Sequence, residues 1–159
     1  MNREVSEAAH KLIQHQSNKG YQGSVDHKSA YVELNSLLTF ELPDWLIELN
    51  TTLPLCGLEI EWKRNDLNGL IEWANEDAIR VESLDCFPGI AILNRGFVNI
   101  GSDPYGTGDS YFIPTNKGNN PPVFQIYHDT SEDPDEILSS GLLEVSPRLS
   151  DLFQNAVLY

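Results

Sequence analysis

Apolar positions along this chain change period several times. Between Arg3 and Gln16, Val5, Ala8, Ala9, Leu12 and Ile13 fall three and four apart, the spacing of one helix face. The polar stretch Ser17-Asn18-Lys19-Gly20-Tyr21-Gln22-Gly23-Ser24 breaks that pattern. Ala30, Tyr31, Leu34, Leu37, Leu38 and Phe40 give a second helical pattern over residues 29–41. Pro43 opens a third helix that Thr51-Thr52-Leu53-Pro54 ends, since a missing N–H costs nothing in the first turn. Asp44 and Glu48 suit the positive end of its dipole.

The period then falls to two. Leu58-Glu59-Ile60-Glu61-Trp62 alternates apolar and acidic residues, which predicts a half-buried strand with one wet face. Gly69-Leu70-Ile71-Glu72-Trp73 predicts a second strand, and Asn75 a cap for a short helix over 76–81. A Pro88-Gly89 turn leads to a strand at Ile90-Ala91-Ile92-Leu93, and an Asn94-Arg95-Gly96 turn to another at Phe97-Val98-Asn99-Ile100. Tyr111-Phe112-Ile113 and Val123-Phe124-Gln125-Ile126-Tyr127 complete a meander around a turn at 116–120. Residues 129–141 read as an acidic loop closed by Gly141. The last helix is placed at 146–157, with Ser146 as N-cap and Pro147 at the first position. Its stripe is Leu149, Leu152, Phe153, Ala156 and Val157. The order predicts an α+β fold, an antiparallel β-sheet meander with helices packed on one face. The other face is expected to be partly solvated and to present Glu59, Glu61 and Glu72.

Composition changes this picture in two ways. The 159 residues suffice for one core, but residues 1–30 differ from the rest and read as a helical appendage, loosely packed, ahead of an α+β domain at 31–159. The formal charge is −14, with residues 1–30 at net +1, so −15 falls on the remainder. Such a body repels nucleic acid and anionic lipid and attracts basic proteins. No stretch is apolar enough to span a bilayer, and the polar start Met1-Asn2-Arg3-Glu4-Val5-Ser6-Glu7 lacks a secretory core. A cytoplasmic location is the expectation.

Candidate chemistry is thin. Cys56 and Cys86 stand apart in apolar surroundings and read as small buried thiols. The glycines from Gly101 to Gly108 lack the Gly-Lys-Ser/Thr of a phosphate cradle, and Asp103 and Asp109 would repel phosphate. Asp129, Ser131, Asp133 and Asp135 begin like a calcium loop, but Pro134 occupies the position that needs glycine. No His-x-x-x-His zinc pair exists. His128-Asp129 with Ser110 or Thr107 would be the residues of a small hydrolase, but no nucleophile elbow surrounds Ser110. Glu59 with Glu61 or Glu72 as a glycosidase pair finds no cleft signature beside it. The expectation is a non-enzyme without cofactor or metal. Trp62, Trp73, Tyr105, Tyr111 and Tyr127 accompany the acids, as at a protein-binding face, although Trp62 shares the parity of Leu58 and Ile60 and Tyr105 is the one in an exposed corner.

Leu42-Pro43-Asp44-Trp45, Ile100-Gly101-Ser102-Asp103, Gly108-Asp109-Ser110-Tyr111-Phe112, Pro122 to Asp129 and a terminal amphipathic helix together resemble the SUKH superfamily over about residues 34–158. That superfamily includes the fungal cell-wall assembly regulator and many bacterial immunity proteins. Its Gly-Asp signature falls on Gly101, Gly108 and Asp109, and its helix-opening proline on Pro43. The corner here is longer, through Pro104-Tyr105-Gly106-Thr107, and Asn50-Thr51-Thr52 stands where Asn-Gly is usual. The resemblance implies a protein-binding, non-enzymatic domain that neutralises a cognate toxin, with nucleases, basic because they hold phosphates, a frequent target. The expected contact residues are Glu59, Glu61, Glu72, Asp103, Tyr105, Asp109 and the loop residues Asp129, Glu132, Asp133, Asp135 and Glu136. A regulatory or scaffold adaptor of the same fold is the alternative, with the His128/Asp129 hydrolase behind it.

Overall fold

The computed structural model describes all residues, Met1 to Tyr159. Three helices come first: α1 (Arg3–Asn18), α2 (Lys28–Leu37) and α3 (Asp44–Thr52). The hairpin β1 (Glu59–Arg64) and β2 (Leu67–Trp73) follows, then α4 (Glu76–Leu84) and the single turn α5 (Gly89–Ile92). β3 (Phe97–Ser102), β4 (Ser110–Pro114) and β5 (Val123–Ile126) precede α6 (Pro134–Ser140), β6 (Leu142–Ser146) and α7 (Leu149–Ala156). The six strands pair antiparallel in chain order. The fold is therefore α+β, a meander sheet with helices packed against it, as the pattern of periods predicts. The sheet curls enough that Arg64 of β1 donates from Nη1 to the Glu144 carbonyl of β6 at 2.8 Å.

The main core lies between the sheet and the α1–α7 layer. Ile60, Trp62, Ile71, Trp73, Val98, Tyr111 and Ile113 point into it, with the Trp73 and Phe153 ring centroids 5.3 Å apart. A buried polar chain holds the first half of the protein to it: Trp73 Nε1 donates to Asn50 Oδ1 (2.8 Å), Asn50 Nδ2 to the Tyr31 hydroxyl (2.8 Å), and that hydroxyl to Asp26 (2.7 Å). Phe112 lies between Tyr111 and Ile113 in β4, so it points the other way, and it is fully buried against Ile92, Ile126 and Ile137. The structure thus adds a smaller cluster, under α5 and α6, on the second face.

Several local expectations are overturned. Residues 1–30 are not loosely packed: Val5, Ala8, Ala9 and Leu12 of α1 are at most 1 % exposed and belong to the main core. Four buried apolar side chains on one stripe bind a helix regardless of the net charge of its outer face. Ile90–Leu93 is not a strand but α5 running into a 3-10 turn at Leu93–Arg95, ended by left-handed Gly96. Four apolar residues are too few to separate the two periods. The acidic loop holds a helix, because Asp133 caps it by accepting from the Asp135 and Glu136 N–H groups and Pro134 starts it. The last helix starts at Leu149: Ser146 ends β6, a strand absent from the sequence reading, and its hydroxyl donates to the Arg148 carbonyl instead of capping. Cys56 is buried as expected, but Cys86 is only partly covered.

Candidate functional site

The wet face of the β1–β2 hairpin is acidic by register. Glu59 lies directly opposite Glu72, and Glu61 opposite Leu70, so three carboxylates share one face. Like charges facing across a ladder destabilise it. Neither Glu59 nor Glu72 has an ion-pair partner, and Glu61 meets only Lys63, at 3.5 Å.

β3 leaves the sheet after two pairs with β2, Glu72–Ser102 and Trp73–Gly101. The chain turns at Asp103, whose carboxylate builds the corner: it accepts from the Tyr105 N–H (2.9 Å) and the Thr107 hydroxyl (2.7 Å). Gly106 and Gly108 supply left-handed φ values there, and a Cβ on Gly108 would meet the His128 ring at 3.3 Å. Where β3 would have continued, a cleft of about 560 Å³ opens between β2 and the corner. Its rim carries Glu61, Asn68, Asp103 and Tyr105, and its floor Tyr111 and Gln125. Trp62 reaches that floor across Gly69, where any Cβ would sit 2.6 Å from Nε1, and donates to the Tyr111 hydroxyl at 3.0 Å. Gln125 Nε2 donates to the same oxygen at 3.0 Å. Burial, opposed by the Trp62 bond and reinforced by Asp103 and Asp109, pushes the Tyr111 phenol up to about 12. It stays neutral.

Glu61 and Leu70 also border a second depression with Tyr21, Gln22 and Glu59, and Gly57 links that one to a third beside Glu72 and Ser102. The three lie side by side, joined through these shared lining residues, and together make up a trough. The cations beside it are tied to the C-terminus: Lys19 Nζ donates to the Tyr159 carbonyl (3.3 Å), and Lys63 lies 4.3 Å from the centre of the Tyr159 ring.

Of the expected contact residues, Glu59, Glu61, Glu72, Asp103 and Tyr105 come together on this trough, with Tyr105 at 82 % exposure. Asp109 points inward instead, its Oδ1 accepting from the His128 N–H and lying 3.0 Å from Nδ1. Asp133 caps α6, Asp135 pairs with Arg95 (2.8 Å) and Glu136 accepts from Ser131 (2.6 Å), so these three serve local structure. Asp129 and Glu132 are exposed. Of the five aromatics expected to accompany the acids, Trp62, Trp73 and Tyr111 are core residues, and Tyr105 and Tyr127 offer surface. The carboxylate that orients His128 is Asp109, not Asp129; Thr107 donates to Asp103, and Glu82 faces Ser110, so neither hydroxyl engages the imidazole.

Sequence reasoning missed the floor residue Gln125 and the deeper acceptors Asn99 and Glu82. The available signal was a lone amide inside an apolar strand, at Val98-Asn99-Ile100 and Phe124-Gln125-Ile126. No helix is long and apolar enough to cross a membrane. Compared with models of known protein families and with curated proteins, the chain matches none.

Proposed function

We propose that this protein is a non-enzymatic, SUKH-type immunity protein that binds a basic toxin domain, with a nuclease the leading candidate, and blocks it one to one. The observation that carries the reading is the convergence of Glu59, Glu61, Glu72 and Asp103, with exposed Tyr105, on one trough. Like charges opposed across a ladder cost fold stability that a cationic partner would recover. The order of motifs shared with the SUKH superfamily and the antiparallel meander support the same reading. Tyr105 supplies contact area and the carboxylates supply steering and pairing with Arg or Lys.

Co-expression with the product of the neighbouring reading frame tests it. Rescue of growth together with co-purification is the expected result. A partner that is a host regulator, with no toxin encoded nearby, would instead favour the adaptor alternative on the same trough. Association that is indifferent to ionic strength would remove the electrostatic basis of both.

A further inference from the structure

We infer that the cleft between α4 and the β2–β3 pair is a slot for one guanidinium group, the side chain of an arginine on the protein seated in the trough. The identity of the donor rests on the reading above; the slot's chemistry does not. The cleft holds about 240 Å³ and is lined by Glu72, Asn75, Glu82, Asn99 and Ser102 among others, with no Lys, Arg or His on its wall.

Two of its acceptor oxygens lack a protein donor. Asn99 is only 3 % exposed, and its Nδ2 is committed to the carbonyls of Gly101 (2.9 Å) and Tyr111 (3.3 Å). That leaves Asn99 Oδ1, on the cleft wall, with no protein donor. Glu82 Oε1 is buried and has no partner, although the carboxyl group as a whole faces the Ser110 hydroxyl and the Gly89 N–H. Glu72 stands across from Glu59 with no ion pair, and Ser102 lies opposite it in register. Buried acceptors are nearly always satisfied in a finished fold, so the orphaned Glu82 Oε1, beside an Asn99 Oδ1 that is open to the cleft and takes no protein donor, points to a donor that arrives from outside.

The donor must carry several N–H groups and no acceptor. Guanidinium has five in a plane and sheds water readily, whereas an ammonium is compact and strongly hydrated. A hard divalent cation is a poorer match, because Glu72 and Glu82 are the only anionic ligands and no cluster of three or more metal-ligating side chains exists.

The test is an NMR titration of the full-length protein with N-methylguanidinium, and with methylammonium at equal ionic strength. The slot predicts saturable shifts of the Asn99 side-chain amide and of the Ala78, Gly101 and Ser102 amides, with a dissociation constant of roughly millimolar order, the scale open to so small a ligand. Methylammonium should bind at least about tenfold more weakly, and the Glu72→Gln/Glu82→Gln variant should weaken N-methylguanidinium by at least about tenfold. That variant removes charge without changing shape, and Asn99, which ties β3 to β4, is left intact. Absent shifts, unsaturable shifts spread over Glu59, Glu61 and Asp103, equal binding of methylammonium, or an unaffected variant would each overturn the slot. The probe needs no partner protein, so a failed slot and a failed acidic trough are told apart.

Discussion

His128 shows how a single contact sets a titration. The Asp109 carboxylate bonded to Nδ1 raises the imidazole's pKa above its ordinary value; desolvation pulls the other way, and the Asp109 and Asp129 charges add to the rise. A raised imidazole pKa stabilises the fold below about pH 6.5, and that contribution is lost as pH rises through the folded-state value. Asp109→Asn should therefore lower the His128 pKa in an NMR titration, and its stability deficit should shrink as pH rises through that value. Glu82 is the opposite case. Burial raises its carboxyl, against the pull of the Ser110 hydroxyl and the Gly89 N–H, so the cost of ionising it falls on the protein at neutral pH. Glu82→Gln should raise stability in urea unfolding at pH 7, with the gain shrinking as pH falls through the carboxylate range. Neither partner assignment was legible in the sequence: His128 has Asp129 beside it in the chain, yet the hairpin brings Asp109 to it from 19 residues away.

At the scale of elements, alternation and capping were legible wherever the pattern ran long enough. β1 and β2 lie where a period of two placed them, and Asn75 caps α4 through the Ala78 N–H at 2.9 Å. The failures were short or composite. Ile90–Leu93 has apolar residues at every position, which suits a buried turn of helix as well as a strand, and α6 was hidden because an acid-rich segment reads as solvated until Asp133 is seen capping. Gly69 is a different kind of signal, a glycine inside a strand that lets Trp62 lie flat across it. Gly69→Ala should displace the indole, break its bond to Tyr111 and cost about 1–3 kcal/mol, measured by urea unfolding with tryptophan fluorescence. Helix α1 makes a second test. Leu12 is fully buried, so Leu12→Ala should cost about 2–5 kcal/mol in a single cooperative transition. An appendage would melt separately.

For the whole molecule, the acidic excess is not uniform in what it does. Glu59, Glu61, Glu72 and Asp103 gather on the trough, while Asp133, Asp135 and Glu136 are engaged in and around α6. Once a partner is in hand, Glu61→Lys and Asp103→Lys should each slow association by about tenfold at low salt and less at high salt. Glu132→Lys, in the other acidic group, should change the rate by less than about threefold. Stopped-flow association across a salt series measures both. Equal effects at the two groups would mean that the total charge, not the trough, governs encounter.

By itself the sequence determined the elements with long patterns, the antiparallel meander and the acidity of the body, because periodicity and charge are properties of neighbouring positions. Only the tertiary structure decided which acids stand together, that Asp109 serves His128, that α1 belongs to the core, and that Asn99 and Glu82 share one cleft. Those facts depend on strand register and on where β3 leaves the sheet, which bring residues far apart in the chain within a hydrogen bond of each other.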